Sequence, residues 1–201
     1  MRLIGVVKEN DYIDQRYITD NFSPSEMERV YSKSSKESRK LTYLGILLLK
    51  HLMKNKLNAE VTIHYPKLDK PVLLNENKEI SPYDFSISHS NELVCCVASK
   101  DKVGLDVEKI RTVNFDIMPL VFTEDEINYV QDKTSNKNQA FFEIWTRKES
   151  FVKIIGKGLT FPLKDVNLIQ NNKLVDDLNI NGDKYYFKRF SYEDYIVTVC
   201  H

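Results

Sequence analysis

A helix and strands recur on both sides of about residue 100, and that order is the tightest constraint this sequence places on its fold. In the first half, Leu3 to Val7 reads as a buried edge of sheet. Ser23-Pro24-Ser25-Glu26 carries a helix start: Ser fits the N-cap, Pro the first helical position, and Glu three residues on closes a capping box. From Leu41 to Met53 the pattern is helical. Leu44, Leu47 and Leu48 share one face, with Leu52 a turn further on. Pro66 and Pro71 bracket a turn-like stretch. Phe85 to Ser88 and Leu93 to Ala98 read as two strands around a His89-Ser90-Asn91 turn.

In the second half, Val103 to Glu108 alternates, with Val103, Leu105 and Val107 on one side and Gly104, Asp106 and Glu108 on the other. Thr123 with Glu126 gives a second capping-box start. A helix is predicted from about Gln139 to Ile155, stopping before Gly156-Lys157-Gly158. The tail reads as strand, Asn181-Gly182 hairpin, strand, turn, strand. Interleaved helices and strands of this kind predict an α/β chain.

Charge excludes several classes of function. Lys plus Arg number 29 and Asp plus Glu 29 in 201 residues, a formal net charge of zero. Nucleic-acid binding lacks its basic surplus, and any anion site must be a local cluster. With 42% hydrophobic and 29% charged residues, and six Gly and six Pro, the chain is globular and not disordered or collagen-like. The three cysteines, Cys95, Cys96 and Cys200, form no C-x-x-C, so they read as reduced, buried thiols rather than a disulfide framework or zinc site. The N-terminal apolar run is too short for a signal peptide, and no stretch approaches the ~18 apolar residues of a membrane helix, so a cytoplasmic protein with no membrane contact is expected. A serine-hydrolase elbow and a Walker-type glycine loop are both missing.

Three segments carry candidate chemistry. Asp106 and Glu108 lie two apart on one strand face, about 7 Å along the strand, and repel unless a cation sits between them or both are well solvated. Taken alone, the pair reads first as the solvent-exposed polar face of an amphipathic strand. Trp145, Glu149 and Lys153 are spaced i, i+4, i+8 and share a helix face, though an ordinary Glu-to-Lys pair has the same spacing. Ser86-Ile87-Ser88-His89-Ser90 forms a small polar turn that offers hydroxyls, an imidazole and a backbone amide to a phosphate; a hairpin turn with a satisfied histidine is the alternative.

Taken in order, F-S-I-S-H-S, V-G-L-D-V-E and W-T-R-K-E-S-F-V-K resemble the three blocks of the 4′-phosphopantetheinyl transferase superfamily. The resemblance runs from about Phe22 to about Leu163 and includes Gly156-Lys157-Gly158-Leu159. The chain length resembles the surfactin-synthetase-activating type, a monomeric pseudo-dimer, rather than the shorter trimeric holo-acyl-carrier-protein synthase type.

That resemblance implies an α/β fold of two similar halves, residues 1–100 and 101–201, each a small, mostly antiparallel sheet packed on a long helix, with a coenzyme A cleft between them. The first half would take the 3′-phosphate and adenosine, and the second would carry the metal and catalytic carboxylates. It implies transfer of phosphopantetheine from coenzyme A to a serine of an apo acyl or peptidyl carrier protein, with release of 3′,5′-ADP. Magnesium, or manganese in its place, would be held by Asp106, Glu108 and Glu149. Glu149 would accept the serine proton, and Lys153 would steady the diphosphate. Lys36, Thr42, Lys70, Pro71, Ser88 and His89 would hold coenzyme A, with Asp69 standing where the family has glycine before Lys70-Pro71. Trp145 is expected to anchor the core, Glu126 to serve the site or only its cap, and Gly104 to allow a close approach; Lys148 matches a family lysine of no clear role. The carrier is expected to dock near Phe115 to Phe122. Two other readings remain at this point: a different magnesium-dependent enzyme acting on a nucleotide diphosphate, and a non-catalytic module that binds coenzyme A or a carrier protein.

Overall fold

A computed structural model describes residues 2–8, 22–67 and 69–201. The chain divides into two compact units, Met1–Val103 and Gly104–His201.

The first unit runs β1 (Arg2–Lys8), α1 (Pro24–Tyr31), α2 (Lys36–Leu57), β2 (Thr62–His64), β3 (Val72–Leu74), β4 (Asp84–Ser90) and β5 (Leu93–Ser99). Its main sheet has the order β1-β5-β4, with both pairings antiparallel, and β2 pairs β3 in a small hairpin. The predicted helix start is present: Ser23 Oγ accepts from the Glu26 amide and Glu26 returns the bond to the Ser23 amide. Helix α2 packs on β5, β1 and β4 and buries Leu44, Ile46, Leu49 and Met53 beneath them. Leu3 to Val7 is an edge strand as expected, but not a buried one: Ile4 and Val6 are 39% and 42% exposed. Pleating turns Gly5 the other way, toward α2, where an added Cβ would stand 3.1 Å from Leu48 Cδ1.

The expected His89-Ser90-Asn91 turn is displaced. Strand β4 continues through Ser90, which pairs with Leu93, leaving Asn91-Glu92 as the two-residue turn. Asn91 takes the left-handed conformation (φ 50°) that such a tight hairpin demands, and Asn adopts it more readily than most residues.

The second unit runs β6 (Gly104–Lys109), α3 (Met118–Val121), α4 (Glu124–Asp132), α5 (Lys137–Ile155), β7 (Ile169–Gln170), β8 (Lys173–Leu174), β9 (Asp177–Ile180), β10 (Asp183–Tyr192) and β11 (Tyr195–Cys200). The sheet order is β6-β11-β10-β9, antiparallel throughout. Helix α5 packs on β6 and β11 over a core rich in phenylalanine, including Phe122, Phe142 and Phe151. Gly156 ends α5 in the left-handed region (φ 72°), and Asn181 and Gly182 both take positive φ in their hairpin. At Gly104 strand and helix come close: a Cβ there would lie 1.9 Å from the Ser150 carbonyl oxygen. The close approach expected at this glycine is therefore made by the backbone of α5.

Each unit contains the same internal tie. Glu26 is fully buried; its Oε2 accepts from the Ser23 amide (2.7 Å) and Lys50 Nζ (2.8 Å), and its Oε1 from the Ile63 amide (2.9 Å). Glu126 is likewise fully buried; its Oε2 accepts from the Thr123 amide (2.8 Å) and Lys148 Nζ (2.7 Å), and its Oε1 from the Leu168 amide (3.0 Å). In both units a capping-box glutamate thus joins the end of a short helix to a lysine on the long helix and to a backbone amide further along the chain. Cys95, Cys96 and Cys200 are all fully buried, and none of them is in a disulfide. Among the described residues, no helix is long and apolar enough to cross a membrane.

Candidate active site

The candidate cluster of the second unit is built on β6 and α5. Asp106 stands opposite Thr198 on β11 and is only 5% exposed, which removes the reading of a solvated polar strand face. Its Oδ1 accepts from Lys153 Nζ at 2.7 Å. Lys153 therefore reaches from α5 across to the strand. Trp145, Glu149 and Lys153 lie along one helix face, and all three are half-buried. Burial pushes the Glu149 carboxyl above the ordinary glutamate range; the negative charges of Asp106 and Glu108 add to the rise, and Lys153 opposes it. The carboxylates of strand and helix thus share one electrostatic environment. Glu108 sits at its outer side, where its Oε2 accepts from Arg111 Nη1 at 3.0 Å.

Beside Glu108 opens a pocket of about 460 Å³, lined by Arg111, Asn114, Ile117, Phe141, Phe142 and Trp145 among others. Trp145 stacks on Phe141 with their ring centroids 6.1 Å apart, and the Arg111 guanidinium lies 5.0 Å from the centre of the Phe142 ring. Trp145 does touch the core, as expected, but it also forms part of this pocket wall.

Three carboxylates on two elements are the hard oxygen donors that a divalent cation such as magnesium takes. Their mutual repulsion, visible in the raised Glu149 carboxyl, is what such an ion would relieve. The donor chemistry fits. The cage itself is open: among the described residues no group of three or more His, Cys, Asp or Glu side chains stands ready to hold a metal ion, and the Lys153 ammonium takes the Oδ1 side of Asp106.

The remaining candidates lie in the first unit. Lys36 is the exposed first residue of α2, whose N-cap is Ser35. Thr42 donates its hydroxyl to the Ser38 carbonyl one turn back (2.7 Å). Lys70 is half-buried, and its ammonium donates to Asp84 Oδ2 (2.6 Å) and the Val103 carbonyl (2.8 Å). Burial pushes its pKa down and Asp84 opposes that. Asp84 Oδ2 also accepts from the Val103 amide (2.8 Å), so Lys70 clamps the residue just before β6. Pro71 follows directly and leads into β3. Ser88 and His89 are neighbours in strand β4, not in a turn; Ser88 is buried and His89 exposed, on opposite faces. This arrangement replaces the expected joint grip from one loop, because the chain stays extended until Asn91.

Sequence reasoning left Glu126 and Lys148 without a settled purpose, and Asp84 and Arg111 unnoticed. Lys148 is fully buried; burial lowers its pKa, and Glu126 resists. Besides Glu126 it donates to the carbonyls of Leu163 and Val166 (both 2.7 Å) and Val121 (3.2 Å). The capping box and the family resemblance were the sequence signals for Glu126, and neither names its partner, which lies 22 residues on in a different helix.

Comparison with known proteins bears on most of the chain. Residues 102–200 match the family model of the 4′-phosphopantetheinyl transferase superfamily. The chain is 29% identical over 177 residues to the 4′-phosphopantetheinyl transferase gsp of Aneurinibacillus migulanus, covering 85% of this chain and 71% of that protein. It is 26% identical over 185 residues to the 4′-phosphopantetheinyl transferase Sfp of Bacillus subtilis (strain 168), covering 89% and 81%. It is also 28% identical over 158 residues to the human L-aminoadipate-semialdehyde dehydrogenase-phosphopantetheinyl transferase, covering 72% and 51%. With similarity over most of its length, the family match through its C-terminal unit and a mixed fold of antiparallel sheets and helices, this chain belongs to the 4′-phosphopantetheinyl transferase superfamily.

Proposed function

We propose that this protein transfers the 4′-phosphopantetheine group of coenzyme A to a serine of an apo acyl or peptidyl carrier protein and releases 3′,5′-ADP. The serine Oγ attacks the phosphorus on the pantetheine side of the diphosphate. A new P–O bond forms to serine, the P–O bond to the bridging oxygen breaks, and 3′,5′-ADP departs with that oxygen. The serine proton passes to Glu149, directly or through a water. The observation that carries this reading is the half-buried Glu149 on the same helix face as Lys153, whose ammonium reaches Asp106 on β6 at 2.7 Å.

Asp106, Glu108 and Glu149 would hold a magnesium ion, with manganese as its substitute; such an ion neutralises charge on the diphosphate oxygens. Lys153, already within the cluster, places an ammonium where the diphosphate's charge would be steadied. In the first unit, Lys36 stands exposed at the start of the 22-residue helix α2, where the helix dipole favours an anion, and His89 is open to solvent. Both suit the 3′-phosphate of coenzyme A, with Thr42, Lys70 and Pro71 as further contacts to coenzyme A; Ser88, on the opposite face of β4 from His89, would act apart from it. The protein acts as a cytoplasmic monomer on this reading.

The test is direct. Incubated with apo carrier, coenzyme A and magnesium, the protein should add one phosphopantetheine to the carrier by intact-mass spectrometry. Asp106→Ala and Glu149→Ala should each abolish the gain. Turnover of coenzyme A without a carrier would favour a different diphosphate enzyme; binding without turnover would favour a non-catalytic module.

A further inference from the structure

Lys148 directly precedes Glu149 in α5, and successive helical residues point about 100° apart. Its ammonium is held by Glu126 Oε2 and by carbonyls of Val121, Leu163 and Val166, so one buried charge joins α5 to the start of α4, the end of α3 and the segment beyond α5. Both side chains of the pair are fully buried. Apolar residues of the same volume commonly serve stability as well as a buried ion pair or better. What the pair adds over apolar packing is direction, because its bonds fix the roll of the helix about its axis. The spacing of α5 from β6 is set separately, where the Ser150 carbonyl meets Gly104.

We infer that Lys148 and Glu126 are positioning residues, which set the roll of α5 so that Glu149 and Lys153 face Asp106 on β6. The inference rests on the transferase reading for its effect on turnover, but not for its effect on ion binding. The molecule supplies its own control: Glu26 and Lys50 make the same tie in the first unit, and the residue after Lys50 is the exposed His51, not an acid. A tie that served stability alone would behave alike in both units.

The experiment compares the double variants Glu126→Leu/Lys148→Met and Glu26→Leu/Lys50→Met, each of which removes both charges and leaves neither partner buried alone. Near-UV circular dichroism and thermal melting establish that both fold. Manganese binding without substrates is read from the electron paramagnetic resonance signal of free Mn²⁺, and kcat and KM for coenzyme A from carrier loading. The second-unit variant should lose about 10-fold or more in Mn²⁺ affinity. It should lose about 100-fold in kcat with KM for coenzyme A little changed, as expected for a misplaced catalytic group. The first-unit variant should keep wild-type Mn²⁺ affinity and kcat. Wild-type Mn²⁺ affinity in the second-unit variant, or equal losses in the two, overturns the inference. Should the second-unit double variant fail to fold, Glu126→Gln against Glu26→Gln carries the same comparison with the same Mn²⁺ reading. A wild type that binds Mn²⁺ but loads no carrier would sink the transferase reading while leaving the Mn²⁺ comparison intact.

Discussion

The two units share a plan and differ in what they place on it. Each has a first strand, a helix opened by a capping box, a long helix, a small hairpin and a closing pair of strands, and in each the first strand pairs with the last and the last with the one before it. Position for position, the fourth residue of the last strand faces Gly5 in the first unit (from Cys96) and Asp106 in the second (from Thr198). Two residues further along β1 and β6 stand Val7 and Glu108. Counted from the tie lysines, His51 and Asn55 occupy the places of Glu149 and Lys153. Leu48 and Cys96 stand where Thr146 and Thr198 share a hydroxyl hydrogen bond of 2.8 Å. The first unit therefore builds the same scaffold without the charged cluster, so the architecture alone does not call for those charges.

The sharpest way to break this comparison is by activity. Glu149→Gln and Asp106→Asn should each lower kcat by about 10²- to 10⁴-fold in carrier loading, while His51→Ala leaves it unchanged. Comparable loss at His51 would mean that the first unit carries chemistry of its own.

The next effect is on stability. Lys148→Met strands a fully buried Glu126 and should cost about 3–5 kcal/mol in urea unfolding. Lys50→Met should cost less, because the Lys50 side chain is 18% exposed and water can reach Glu26 from that side. Equal costs would show that the two ties are not as differently sealed as their exposures indicate.

Smaller still is the effect at the helix-facing glycines. Gly104→Ala drives a methyl into the Ser150 carbonyl, which moves only with the whole of α5, and should cost about 1–3 kcal/mol or more. Gly5→Ala meets the side chains of Leu48 and Cys96 at 3.1–3.2 Å, and side chains can yield. Its penalty should be the lesser one by the same denaturation measurement, and only Gly104→Ala should also impair catalysis.

The mildest expectation concerns pH. Because Glu149's carboxyl is raised in the folded protein, its protonated form favours folding; that contribution is full at acid pH and is lost as pH rises through the raised value. At neutral pH the buried charge is a burden, so Glu149→Gln should raise Tm of the metal-free protein there. The gap should close on acidification. A lower Tm for the variant at neutral pH would contradict the raised carboxyl.

Local signals were legible wherever one short segment contained its own reason. Ser23 with Glu26, Thr123 with Glu126, Gly156 after α5 and Asn181-Gly182 all formed as their spacing dictates, since each satisfies backbone groups within a few residues. The place of Ser88 and His89 was misread because the Asn91-Glu92 turn lacks glycine, so the nearby polar run resembled the turn. Asp106 and Glu108 were legible as a pair, yet their burial was not, because it depends on β11 and α5 closing over them. The ties from Lys148 to Glu126 and from Lys70 to Asp84 join residues 22 and 14 positions apart, and no periodicity announces such partners.

The three sealed sulfur atoms have a practical consequence. With burial pushing Cys96 and Cys200 up to about 12, neither offers a thiolate near neutrality, and Cys95 is equally shut from solvent. A transferase acting on coenzyme A, as proposed, would thereby avoid mixed disulfides with the thiol of that substrate. Alkylating reagents should modify the chain only when it opens, so their rate of uptake becomes a clock for unfolding.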